Sequence, residues 1–245
     1  VIPGSVSMAY VNNGETVTTS FFRSVLDLTR YDSLHEDRIG RAGGPIYVHC
    51  GTGGLIKARN ESCEVFLAGQ GEWLFLVDTD MGFLPDALER LLATAGTSES
   101  RIVAGLTFGM RHLGPDGLGG FVREPWPMIY GFGADVAGVL GFVETPWWPD
   151  GDRLITCEAT GAAFVIIHRS VVEAVGKEWF TPVRYDNGVE LSEDLSFFWR
   201  VRQALGPGSV IVDSEVITTH AKTVFVSPTE YVDYLVLKGL RAEAK

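Results

Sequence analysis

The chain has 245 residues, 46% hydrophobic and 21% charged, which suffices for one large globular domain with a sizeable core. Its formal net charge of −11 excludes a protein that grips nucleic acid mainly through its phosphates with a basic patch. A polyanionic nucleotide held through a metal ion stays open, because the ion brings its own positive charge. In chain order, Ser5–Val11 (SVSMAYV) predicts a first strand and Asn12-Asn13-Gly14 a turn. Thr16 or Thr18 then caps a helix that turns Phe21, Phe22, Val25 and Leu26 inward. The polar, mixed-charge stretch Arg30–Gly44 predicts a mobile surface loop. Pro45–Cys50 reads as a second strand, Gly51–Gly54 as a glycine-rich turn, and Leu55–Leu67 as a helix burying Ala58, Cys63, Phe66 and Leu67.

The next stretch organises the rest. In Trp73–Met81 (WLFLVDTDM), five apolar residues run without polar alternation into Asp78-Thr79-Asp80. Such a run suits a strand buried on both faces, as in a parallel sheet. Its acidic end would leave the core at the carboxyl edge, where open α/β sheets bind ligands. Pro85 and the Leu88, Leu91, Leu92 pattern predict a helix returning over the sheet, and Arg101–Phe108 a further strand. Strands alternating with helices through the first hundred residues indicate βαβ units and a largely parallel sheet.

The second half mixes glycines, prolines and aromatics over Gly109–Gly120 and Trp126–Trp148, with strand-like pieces at Met128–Gly131 and Val139–Val143. Leu154–Ile167 is strand-like but interrupted by Gly161-Ala162-Ala163. Helices are predicted at Ser170–Val175, Ser192–Leu205 and Pro228–Ala244, and a strand at Val210–His220. One mixed α/β domain spanning 1–245 is the simplest organisation. Cys50, Cys63 and Cys157 are odd in number and form no CxxC, which argues against a zinc cluster or disulfide framework and for a cytoplasmic setting. No apolar run reaches membrane-spanning length and no signal peptide is expected.

Four features far apart in sequence fit one site. Asp78 and Asp80 offer hard oxygen ligands to Mg²⁺ or Mn²⁺ if the chain turns between them. His220, ending an apolar run, offers a neutral imidazole as a third ligand, with Lys222 beyond it to neutralise phosphate. Glu193-Asp194 follows the N-cap candidate Ser192; either carboxylate serves as a helix-start charge or as a general base aimed into a cleft. Gly161-Ala162-Ala163 leaves room for close approach to the backbone or marks a bulge. Arg59-Asn60, after the Gly51–Gly54 turn, is a candidate to meet a nucleotide, although that turn lacks the Gly-Lys-Ser/Thr ending of a P-loop.

In this order, D-x-D, a small-residue segment (TGAAFVIIHRSV), Glu-Asp (SEDLSFFWRV) and a late histidine (TTHAK), the chain resembles GT-A glycosyltransferases of the family-2-like group over nearly its whole length. The resemblance implies a Rossmann-like, mostly parallel sheet, with a nucleotide-sugar half (1–108) and an acceptor half (109–245). It implies a hexosyltransferase using a nucleoside-diphosphate sugar, UDP- or GDP-linked, with Asp78, Asp80 and His220 acting through Mn²⁺ or Mg²⁺ on the diphosphate. Asp194 would be the base of an inverting displacement, supported by Glu193, which would also meet the acceptor. Tyr10, Asn12, Glu15, Arg59 and Thr79 would line the donor site, and Gly161 and Ala162 would border the acceptor, a carbohydrate or protein. Retaining chemistry at the same metal site, a nucleotidyltransferase and a non-catalytic carbohydrate-binding protein are the alternatives.

Overall fold

A computed structural model describes residues 1–12, 14, 16–115, 121–134, 138–185 and 188–222, without the side chains of 112, 115, 121 and 122. The predicted helix at Pro228–Ala244 and the candidate Glu15 therefore lie outside the described residues.

In chain order the elements are β1 (Val6–Asn12), α1 (Thr19–His35), α2 (Arg38–Arg41), β2 (Ile46–His49), α3 (Gly54–Ala68), β3 (Trp73–Asp78), β4 (Met81–Gly82) and α4 (Ala87–Ser98). There follow β5 (Ile102–Leu106), β6 (Phe108–Pro115), β7 (Phe121–Pro127), β8 (Ile129–Ala134), β9 (Leu140–Glu144), β10 (Leu154–Cys157), β11 (Ala159–Thr160) and β12 (Phe164–His168). The last are α5 (Arg169–Val175), α6 (Glu193–Leu205), β13 (Val210–Ile217) and β14 (Thr219–His220).

Seven strands form the central sheet in the order β10-β13-β5-β12-β3-β1-β2. β3 is parallel to β1 but antiparallel to β12, which is in turn antiparallel to β5, while β13 runs parallel to β5. Five strands thus share one direction and β12 and β10 oppose it. The expectation of a mostly parallel mixed sheet flanked by helices holds. β3, however, has a parallel neighbour on one side only, because β12 inserts beside it from the second half of the chain.

Along β1, Val6 and Met8 face a core shared with Phe21 and Leu28 of α1, Leu88 and Leu91 of α4, and Phe75, Val103 and Phe164 of the sheet. On the opposite face Val11 packs with Val48 and Ala58, which seats α3. Full burial of side chains such as Phe75 and Phe164 contributes about 1.5–3 kcal/mol each. Gly105 of β5 is required by close approach: a Cβ there would come 2.8 Å from the Val216 carbonyl oxygen.

Two local expectations fail. Arg30–Gly44 is not a loop: α1 continues to His35 and α2 follows, because the buried Asp32 carboxylate accepts the Ile39 N–H at 2.9 Å and rewards the polar sequence for staying helical. Of the four inward candidates on α1, Phe21 is buried and Val25 partly so, but Phe22 and Leu26 are more than half exposed; Leu28 takes the inward place. Thr18, not Thr16, is the cap, accepting from Phe21 N at 3.2 Å. The glycine-rich stretch after β5 holds strand β6.

A second, smaller unit comprises residues 108–126 and Lys222. Within it β6 pairs with β7, and the Arg111 guanidinium lies 5.1 Å from the centroid of the Trp126 ring. All three cysteines are free and buried, and burial pushes the Cys157 thiol up to about 12. Among the described residues no helix is long and apolar enough to cross a membrane.

Candidate active site at the carboxyl end of strand β3

Leu74–Val77 lie in the core, and Asp78 is the first residue of β3 to emerge from it. Its N–H donates to the Ala163 carbonyl at 2.9 Å, which sets the Gly161–Ala163 segment beside the acidic turn. The turn is tied down on its other side by Thr18, whose N–H and hydroxyl both donate to the Thr79 carbonyl at 3.2 Å. The residue that caps α1 therefore also fixes the D-x-D.

His220 arrives from the far end of the chain. The register of β13 against β5 shifts between Asp213 and Ile217, and the Thr218 hydroxyl donates to the Leu106 carbonyl at 2.9 Å. The chain then leaves the large sheet and β14 pairs antiparallel with β4, placing His220 opposite Met81. His220 Nε2 stands 3.0 Å from Asp80 Oδ2, and Ala221 N–H donates to the Asp80 carbonyl at 2.8 Å.

Ser192 caps α6, its hydroxyl accepting from Leu195 N, so Glu193 and Asp194 occupy the first turn as predicted. Arg59 joins this helix start to the D-x-D. Its guanidinium, 2% exposed, donates through Nη2 to Asp78 Oδ1 and Oδ2 at 3.1 and 3.2 Å. Its Nη1 lies 3.1 Å from Asp194 Oδ1, close enough for an ion pair but without hydrogen-bond alignment. Arg59 Nε and Asp194 Oδ1 are thereby buried atoms with no hydrogen-bond partner among the described residues.

Burial pushes the Asp78 carboxyl up; Arg59 and His220 oppose this, and Asp194 and Asp80 add to it. Burial and the neighbouring Asp194 push Glu193 up as well. Burial works against the Arg59 charge, yet Asp194 and Asp78 more than offset it and hold the guanidinium above its usual range. Asp78, Asp80, Glu193 and Asp194 thus sit in one electrostatic cluster with Arg59 and His220.

Two carboxylates and an imidazole are a donor set that suits Mn²⁺. Among the described residues, however, no three acid, thiol or imidazole side chains are gathered as a ready cage. The reason is visible: Asp80 and His220 form a pair while the Asp78 carboxylate is engaged by Arg59.

The remaining candidates are placed as follows. Tyr10 is half-buried in β1, its ring 5.5 Å from that of Phe21 and 5.6 Å from that of Tyr47. Asn12 is buried and its Oδ1 accepts from Gly14 N at 3.0 Å. Thr79 lies inside the acidic turn. Gly161 and Ala162 are buried, and the space left by the missing Gly161 side chain is taken by Met128, whose Cε would lie 2.8 Å from an added Cβ. Lys222 is exposed and belongs to the second unit. Asn60 is engaged within the protein: its Oδ1 accepts the Phe180 N–H at 2.9 Å, and Phe180 lies beneath Arg59, 5.5 Å from ring centroid to guanidinium carbon. Sequence reasoning missed Phe180 and the Thr18 tie; the adjacency Arg59-Asn60 was the one signal that this helix face turns towards the site.

No family model matches the chain, and no curated protein matches it in sequence. Solved structures do. A197 from STIV superposes with a TM-score of 0.50 at 13% identity, over 91% of this chain and 88% of that one. GalNAc-T7, a GT-A glycosyltransferase solved with UDP, GalNAc and Mn²⁺, superposes with a TM-score of 0.54 at 14% identity. That match covers 90% of this chain but only 44% of the GalNAc-T7 chain. The fold of this chain is GT-A-like.

Proposed function

We propose that this chain is a metal-dependent glycosyltransferase that moves a sugar from a nucleoside-diphosphate sugar to an acceptor hydroxyl. The observation that carries the reading is the Asp80–His220 pair, formed across 140 residues of sequence, beside Asp78 and within the cluster that includes Asp194. The cluster includes Asp78 at the carboxyl end of β3, and binding of ligands at such strand ends in open α/β sheets supports the reading. A fold neighbour solved with UDP and Mn²⁺ supports the same class of ligand.

In this reading Asp80 and His220 anchor a divalent ion, Mn²⁺ or Mg²⁺, and Asp78 completes the protein's contribution. The bound ion would neutralise charge growing on the leaving diphosphate. Asp194, at the start of α6, takes the proton of the attacking hydroxyl, and Glu193, whose proton affinity is raised, stands beside it. Tyr10, Asn12, Glu15 and Thr79 serve the donor, and Gly161 and Ala162 border the acceptor, a carbohydrate or a protein. One observation favours a second reading, retention of configuration at the same metal site: Arg59 occupies Asp194, the base that inversion requires.

The test is the melting temperature of the purified chain with UDP-, GDP-, CMP- and dTDP-linked sugars, in Mn²⁺ and in EDTA. A ligand at about 100 times its Kd stabilises the native state by about 2.7 kcal/mol. A Mn²⁺-dependent rise with one donor, lost in Asp80→Ala, is expected; no rise with any donor would sink the proposal. The anomeric configuration of the product then separates inversion from retention.

A further inference from the structure

Arg59 is too deeply buried to be the donor contact that its place after the glycine-rich turn suggests. Both terminal nitrogens are already used, one on Asp78 at the end of β3 and the other on Asp194 at the start of α6. The Phe180 ring lies against it, and Asn60 on the same helix holds Phe180 in place. A planar fork with donors in fixed directions suits this work, since it can meet two carboxylates from different elements at once. While Asp80 pairs with His220, the neighbouring Asp78 carboxylate is engaged by the guanidinium.

We infer that Arg59 is a positioning residue that fixes Asp78 and Asp194 relative to each other and competes with the divalent ion for Asp78. The inference rests on the metal-dependent reading above. A cation that recruits Asp78 must take it from Arg59, which is then left to Asp194 alone. Metal uptake on the donor side is thereby coupled to the orientation of the base on the acceptor side through one guanidinium.

The experiment is calorimetric titration of Mn²⁺ alone into the full chain, its Arg59→Gln variant and its Asp194→Asn variant. Removing a positive charge in contact with Asp78 strengthens cation binding, so Arg59→Gln is expected to bind Mn²⁺ about tenfold more tightly. Asp194→Asn releases the guanidinium wholly onto Asp78 and is expected to weaken Mn²⁺ about threefold or more, although Asp194 is no ligand. A merely structural role for Arg59 predicts the opposite sign for Arg59→Gln, since damage to the fold loosens a site. Equal or weaker binding by Arg59→Gln overturns the inference. Should that variant fail to fold, Asp194→Asn decides: weaker binding supports the competition, and unchanged or tighter binding overturns it. A wild-type chain that takes no Mn²⁺ overturns both this inference and the reading beneath it, whereas a wild type that binds with variants that do not shift overturns this inference alone.

Discussion

Two of the networks that join arginine to aspartate among the described residues are built to opposite ends. In the first, Asp213 of β13 is completely buried and fully partnered. It accepts from the Thr94 hydroxyl at 2.6 Å, from Arg153 Nη2 and Nε at 2.8 and 3.2 Å, and from the Glu215 N–H at 3.0 Å. Burial alone would push its carboxyl up, but Arg153 and Thr94 hold it below the usual range. In the second, Asp78 and Asp194 share one guanidinium, Arg59 Nε and Asp194 Oδ1 lack hydrogen-bond partners among the described residues, and the Asp78 carboxyl is pushed up rather than held down. A saturated network fastens α4 and β10 to the sheet edge. The unsaturated one leaves carboxylate charge around Arg59 incompletely compensated by hydrogen bonds among the described residues.

The contrast can be broken by mutation, beginning with the largest effect. Arg59→Met strands Asp78 and Asp194 without their counter-ion and should cost about 3–5 kcal/mol of unfolding free energy in EDTA, measured by urea titration. Mn²⁺ should return part of that loss. Asp213→Ala leaves Thr94 and the Arg153 fork unmet and should cost about 2–3 kcal/mol, with no recovery in Mn²⁺. Equal Mn²⁺ rescue of the two variants would erase the distinction. Thr94→Val removes one hydrogen bond to a charged acceptor and should cost about 1.5 kcal/mol by the same titration.

The smallest effect lies in the acid limb of stability. The folded pKa of Asp213 is below its unfolded value of about 3.9. Its stabilisation is therefore complete above that unfolded value and is lost as pH falls through the lower, folded one. Asp213→Asn should flatten the fall in stability between about pH 4 and 2. An unchanged slope in that variant would place the acid sensitivity elsewhere.

The parts of this architecture that depend on local pattern were legible. Trp73–Asp78 reads as a buried strand ending in acid, Ser192 as a cap with carboxylates in the first turn, and Val210–His220 as a strand that delivers a histidine. What periodicity does not carry is direction, so the antiparallel insertion of β12 beside β3 was invisible. Nor does it distinguish two apolar faces of one helix, so the pattern points Phe22 and Leu26 inward where the fold buries Leu28. Arg30–Gly44 was misread because its helical state rests on one buried carboxylate, Asp32, that bonds across a turn to Ile39. The role of Arg59 was beyond reach for a deeper reason: it exists only when α3, β3 and α6, distant in sequence, meet around one side chain.

The short β4–β14 pairing has a consequence for how the protein is made. Asp80 leaves the ribosome 140 residues before its partner His220. At about 5–20 residues per second, the acidic turn stands without its imidazole for roughly 7–28 s. β3 can fold early against β1, but the Asp80–His220 pair forms only once His220 has emerged. A nascent chain truncated anywhere between Asp80 and His220 would carry the acidic turn yet lack the pair.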